Sequence, residues 1–266
     1  YDEGWFGNLD CRSMKLDVKE AILFAISRYD YAYAHKLAER AGKSTQSDLV
    51  RLLGALAERR ELNIQSIMNL KLEITGMNPA DFQLFCHENE ADEQLANYLY
   101  DLDAKLRNEQ LIDFVRAVSP AIYRIFMRLI RMQLPDIDSY IHNSREASYD
   151  RWKFEKMRSS DNPVLQNFHT ESTVNSSSLT ELILQLGFPE SVKESAGQLR
   201  ELERSVRNPL AHLIKPFDEE ELHRTTGFSS QHFMELLVAL AQETGIVYQR
   251  EPFYFDRANA IVESLL

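Results

Sequence analysis

The amino-acid sequence predicts an all-α protein, and three observations carry that expectation. Leu, Ala, Glu and Arg, all good helix formers, dominate, whereas Gly accounts for only 9 of 266 residues. Apolar residues recur three and four apart along most of the chain, the period of a helix with one buried stripe. No alternation of strand and helix patterns and no Gly-rich turn interrupts this. The chain is long enough to bury a sizeable core, as one large domain or two smaller ones. The division expected is a helical linker subdomain over 1–110 and a helical bundle over 111–266.

Taken in order, residues 14–41 read as one long helix stopped by Gly42. Tyr29, Tyr31 and Tyr33 alternate within it as in a strand, which packing explains more simply than base stacking. Residues 47–60 form a second helix with Leu49, Leu52, Leu53 and Leu56 on one face. Residues 61–75 form a third, stopped by Gly76, and Asn78-Pro79 opens another. Residues 91–107 follow, with an acidic side read as solvated.

Residues 108–134 make a long helix in which Ser119-Pro120 predicts a kink. Its second half is apolar nearly all round except for Arg124, Arg128 and Arg131, which fall within about 60° of one another. Such a stripe lines a dimer groove or an RNA channel, or forms ordinary ion pairs with the abundant carboxylates. Residues 136–159 read as a polar helix and 160–177 as a loop. Ser178-x-x-Glu181 is a capping-box pattern ahead of the apolar face Leu179, Leu182, Ile183 and Leu186. Asp218-Glu-Glu-Glu221 loads acid into a helix start, and Ser229 opens a helix that turns Phe233, Leu236, Leu237 and Leu240 inward. Ile246-Val-Tyr248 and Phe253-Tyr-Phe255 pair as a small β-hairpin near 246–255, or pack as an extended link before a final helix over 257–266.

The chemistry concentrates in Arg207-Asn208-Pro209-Leu210-Ala211-His212. In the helix before it, Leu199, Leu202 and Val206 share one narrow sector, and Arg200, Arg204 and Arg207 form a second stripe roughly 100–120° away. Pro209 lacks an N–H and disfavours the α conformation at Asn208, so a kink or restart is expected there. On a straight helix, side chains five apart point about 140° away from each other. A restart would let Arg207 and His212 converge, as would a second copy of the chain. An arginine fork, an imidazole and a helix N-terminus together suit phosphodiester chemistry; a solvated pair or a cap is the structural alternative.

Composition limits the other classes. The net charge of −11 argues against a broad nonspecific grip on nucleic acid, so a nuclease would need a local basic site on an acidic body. No run approaches 18 apolar residues, so no transmembrane span or membrane partner is expected. Cys11 and Cys86 make no disulfide framework and fit a reducing cytoplasm. No CxxC or HExxH spacing occurs, and Cys86-His87 alone is a poor metal site, so neither metal nor other cofactor is expected.

The 207–212 stretch resembles the Arg-x4–6-His motif of HEPN ribonucleases, in the form Arg-Asn-x-x-x-His. It is most similar to the catalytic half of the type III-A CRISPR-associated ancillary ribonucleases of streptococcal type, which a cyclic oligoadenylate activates. The resemblance rests on Arg207 to His212, on Leu213-Ile-Lys-Pro-Phe217, and on the helical run that follows. It implies a HEPN-type bundle and metal-independent cleavage of single-stranded RNA by 2′-OH attack, leaving 2′,3′-cyclic phosphate and 5′-OH ends. His212 would move protons, Arg207 would clamp the phosphate and Asn208 would cap or hydrogen-bond. Arg200, Arg204, Arg124, Arg128 and Arg131 would hold RNA. The resemblance also implies a homodimer whose two motifs share one site, and an activator bound by a sensor domain that these residues do not resemble. Two other readings stand beside it: a noncatalytic helical dimerisation or interaction module, and a HEPN toxin ribonuclease of a toxin–antitoxin pair. His223 and His232 are expected to be structural or peripheral.

Overall fold

The computed structural model describes residues 11–45, 47–68, 70, 82–142, 150–212 and 217–266, with the side chains of 11–17 and 207–212 excepted. The described residues are overwhelmingly helical, as the composition requires, and fall into two compact units. One comprises 1–104 with 249–266, the other 105–248. Thus 249–266, which the sequence division places with the bundle, packs instead with the N-terminal residues.

The first unit contains α1 (Cys11–Ser27), α2 (Tyr31–Arg40), α3 (Asp48–Arg60), the single turn α4 (Ile64–Ile67), most of α5 (Glu90–Arg107) and α13 (Tyr254–Leu265). The single helix expected over 14–41 is broken at Tyr29, which adopts φ +57°. Local chemistry and packing explain the break. The Asp30 carboxylate accepts from the Tyr33 N–H at 3.0 Å and starts a new helix. The Tyr29 ring packs edge-on against Phe253 at 5.5 Å, and its hydroxyl donates to Asp256 at 2.8 Å. Tyr31 is fully buried and donates to Asn259 Oδ1 at 2.7 Å, whereas Tyr33 is half exposed. Packing therefore accounts for two of the three tyrosines. The Asn78-Pro79 helix start lies outside the described residues, as do 69 and 71–75 of the helix expected over 61–75, whose described part forms only the single turn α4.

The acidic side of α5 is not solvated. Glu93, Asp101 and Asp103 are buried and paired with Arg59, Arg60 and Arg250 respectively. The Arg59–Glu93 pair, at 2.6 Å, has no exposure on either side. Glu93 also accepts the backbone N–H groups of Cys86 and His87, each at 2.9 Å. Arg59 donates to Leu84 O and lies 4.6 Å from the centre of the Tyr254 ring. Burial, then the nearby Glu93, push the Cys86 thiol up, away from the thiolate.

The second unit contains α6 (Leu111–Gln133), β1 (Ile141–His142), β2 (Arg151–Trp152), α7 (Phe154–Arg158), α8 (Pro163–Gln166), α9 (Ser176–Gln185), α10 (Glu190–His212), α11 (Glu219–Thr226) and α12 (Ser230–Glu243). The helix expected over 136–159 is replaced by a 3-10 turn, Ile137–Tyr140, the antiparallel pair β1–β2, and α7. Distant backbone partners override the local pattern: Lys153 N–H bonds Tyr140 O at 2.8 Å, and Trp152 N–H bonds Ser172 O at 2.9 Å. The capping box lies three residues before the predicted one, with Asn175 and Ser178 exchanging bonds at the start of α9. Asp218, in the acid-loaded helix start, and Ser229, expected to open a helix, both cap: they accept from Glu221 and His232 N–H.

The hairpin near 246–255 does not form. Residues 246–249 are an extended link, a turn follows, and Tyr254 and Phe255 already belong to α13. Their rings are buried, Tyr254 stacking on Tyr100 at 4.8 Å, so ring packing rather than strand pairing sets this segment. Among the described residues no helix is long and apolar enough to cross a membrane.

Candidate active site

Helix α10 carries the Arg/His motif as its last six residues. Its apolar stripe is as the period predicts, with Leu199, Leu202 and Val206 at most 1 % exposed. No second helix begins at Asn208: α10 continues through Pro209 to His212, so of the expected kink or restart the restart does not occur. Proline there removes one intrahelical bond and crowds the carbonyl of Ser205, a local cost within a helix that nonetheless continues. The side chains of 207–212 lie outside the described residues, as do residues 213–216 of the stretch that follows.

The basic stripe before the motif is well defined. Arg200 bonds Glu203 at 3.2 Å and Arg204 bonds Glu201 at 2.9 Å, each one turn along the same helix. Hydrogen bonding from Arg204 holds the Glu201 carboxyl below its usual range. Glu203 is only 2 % exposed and accepts the Ser176 hydroxyl at 2.5 Å, which ties α9 to α10. The sequence reading missed this acid, although Glu203 falls about 40° from Leu199 on the helical projection, at the edge of the apolar stripe.

Contacts along the bundle give the direction of each helix. Phe114 packs on Phe233 at 5.7 Å, and Arg128 donates to Thr244 Oγ1 and O, both at 3.1 Å, so α6 and α12 run parallel. The Gln133 side chain abuts Gly187, placing the start of α10 at the end of α6. Running back from there for 22 residues, about 33 Å, α10 brings its motif to the bundle end where α6 and α12 begin. Arg124, Arg128 and Arg131 lie in the other half of α6, starting about 20 Å from Leu111. One chain therefore does not gather these arginines around its own motif. Arg128 is held by Thr244, Arg131 forms a two-bonded pair with Asp138, and Arg124 is exposed.

The rival histidines fall at the periphery. His223 is exposed on α11. His232 stacks on Phe228 at 4.9 Å, with its Nε2 shielded and without a hydrogen-bond partner. Among the described residues no three His, Cys, Asp or Glu side chains gather as a metal site would require.

An all-α bundle in which one helix ends on Arg-Asn-x-x-x-His is the arrangement of a HEPN-type protein. The chain matches the family model Cas_Csm6 HEPN domain over residues 84–263, and it belongs to that family. Its fold is similar to that of Enterococcus italicus Csm6 bound to cyclic hexa-2′-fluoro-hexa-dAMP, with a TM-score of 0.69 at 12% identity. That likeness covers 97% of this chain and 59% of the other, so the present residues span about three fifths of the Enterococcus protein. None of the curated proteins matches this sequence.

Proposed function

We propose that the protein is a metal-independent endoribonuclease of CRISPR type III antiviral defence, cutting single-stranded RNA to 2′,3′-cyclic phosphate and 5′-OH ends. The observation that supports this best is the Arg-Asn-x-x-x-His motif at the end of α10, inside the matched family region. RNA carries its own nucleophile, so the site needs only to position the 2′-OH, move protons and stabilise charge. Imidazole is the side chain suited to exchanging protons near neutral pH, which makes His212 the acid–base candidate. Arg207 stays charged and meets the nonbridging oxygens as negative charge develops. Asn208 assists by hydrogen bonding to the substrate or to the partner motif.

Helix α10 runs unbroken to His212, and on a continuous helix positions five apart lie about 140° from each other around the axis. A homodimer that sets two such helix ends face to face restores convergence and pools two sets of Arg200 and Arg204 in one cleft. RNA then displaces the intrahelical acids Glu203 and Glu201 as partners of those arginines. Arg124, exposed on the far half of α6, offers RNA a second contact away from the motif, while Arg128 stays with Thr244 and Arg131 with Asp138. Cyclic oligoadenylate, bound by a sensor domain outside these residues, is the activator, and the enzyme works in the cytoplasm.

The test is cleavage of a labelled single-stranded RNA in EDTA. The expected outcome is that His212→Ala and Arg207→Ala each lower the rate at least about a hundredfold, as loss of general acid–base or oxyanion groups does. Equal cleavage by wild type and both variants would remove the motif from the chemistry. A folded dimer, inactive even with activator and sensor domain supplied, would favour a noncatalytic interaction module.

A further inference from the structure

Tyr123, Arg124, Met127 and Arg131 share one face of α6, within about 100° on the helical projection. Between this face and Asp138, Ile141 and Asp150 lies a cavity of about 300 Å³. That volume is at the lower end of the range that holds small organic ligands. Among the described residues that line it, two guanidinium groups stand against two carboxylates.

The four charges are not equivalent. Arg131 donates Nε and Nη2 to the two oxygens of Asp138, both at 2.8 Å. The hydrogen bond from Arg131 holds the Asp138 carboxyl below its usual range, so the pair forms a fixed ionised wall. Asp150 is engaged more loosely, receiving the Tyr123 hydroxyl at 3.5 Å, and a carboxylate offers about four acceptor sites. Arg124 is exposed and brings donors only. A phosphate would have to sit beside two carboxylates, and a hydrocarbon would leave Asp150 and Arg124 without gain. A flat neutral ligand with two donors on one edge and two acceptors on another meets every requirement, with the Tyr123 ring and the Met127 thioether available to its faces.

We propose that this cavity binds a guanine base. Asp150 accepts from N1–H and N2–H, and Arg124 donates to O6 and N7, the pairing that a guanidinium makes with guanine in nucleic acids. Adenine is rejected because its corresponding edge sets one donor beside an acceptor that a carboxylate repels. The base arrives either as a free nucleotide or as a guanosine within single-stranded RNA. Only the second source rests on the ribonuclease reading.

Calorimetry of the full chain in EDTA distinguishes the cases, using GMP, IMP, AMP and two 2′-O-methyl oligoribonucleotides that cannot be cleaved, one with a single guanosine and one with adenosine in its place. Because no step depends on cleavage, failure here is separable from failure of the ribonuclease reading. GMP should bind at least tenfold more tightly than AMP, with IMP between them because it lacks the N2 donor. Asp150→Asn should abolish the preference, and Arg124→Ala, a change at an exposed position, should weaken GMP at least threefold without altering thermal stability. Guanosine preference in the oligonucleotides alone, lost in Asp150→Asn, would assign the site to RNA. Equal affinity for guanine and adenine in both formats, or a preference surviving in both variants, would overturn the proposal.

Discussion

Arg59 and Glu93, in the unit formed by 1–104 and 249–266, meet at 2.6 Å with no solvent exposure. Arg204 and Glu201, in the unit formed by 105–248, meet at 2.9 Å with 64% and 58% of their side chains exposed. The geometry is similar and the physical meaning opposite. Removing one member of a buried pair leaves an uncompensated charge in a low-dielectric interior, whereas an exposed pair is screened by water and adds little. The first unit commits Arg59 and Arg60 to the fold. The second keeps Arg204 against the exposed carboxylate of Glu201 on its own helix, from which a phosphate can draw it at small cost, whereas Arg200 faces the buried Glu203.

The contrast can be broken most decisively at Arg59. Arg59→Ala should destabilise the first unit by about 3–5 kcal/mol in urea unfolding, since Glu93 would lose its cation. A loss below about 1 kcal/mol would dissolve the distinction between the units. Tyr31→Phe tests the same interior with a neutral group: losing the bond to Asn259 should cost about 1–2 kcal/mol. In the second unit, Ser176→Ala removes the hydroxyl donated to the buried Glu203 and should cost a similar amount. The smallest effects belong to the exposed pairs. Arg204→Ala should change stability by no more than about 0.5 kcal/mol, while weakening RNA binding with a reduced salt dependence.

Acid titration sharpens the same point. The folded pKa of Asp138 lies below its unfolded value because of Arg131. The stabilisation is therefore complete above the unfolded pKa and disappears as pH falls through the folded one. Since both groups are substantially exposed, Arg131→Met should alter acid stability only slightly, by less than about 0.5 kcal/mol.

How much of this was readable from the sequence depends on the distance over which each decision is made. The faces of α3, α9 and α12 and the caps Ser47, Asp218 and Ser229 follow from residues within one or two turns, and they were legible. The break at Tyr29 was not, because the rings that hold it, Phe253 and Phe255, lie more than 220 positions away. The acid face of α5 looked solvated for the same reason: Arg59 and Arg250 come from far along the chain. At the candidate site, helical period alone identified the Arg200 and Arg204 stripe. The cavity beside Arg124 was invisible, since Asp138 and Asp150 reach α6 through a region whose backbone partners are nonlocal. The continuity of α10 through Pro209 was missed because proline's local preference was given more weight than the packing of the helix that contains it.

The discontinuity of the first unit bears on how the chain is born. Synthesis delivers α1 to α5 early, yet Phe253, Tyr254 and Phe255, which close the ring cluster around Tyr29, Tyr31 and Tyr100, emerge only after the whole of 105–248. The later-made bundle is thus the first part able to finish folding, against the usual N-terminal-first order. Until then the nascent N-terminal helices present unpartnered aromatic surface to the cell, the kind of surface that chaperones engage.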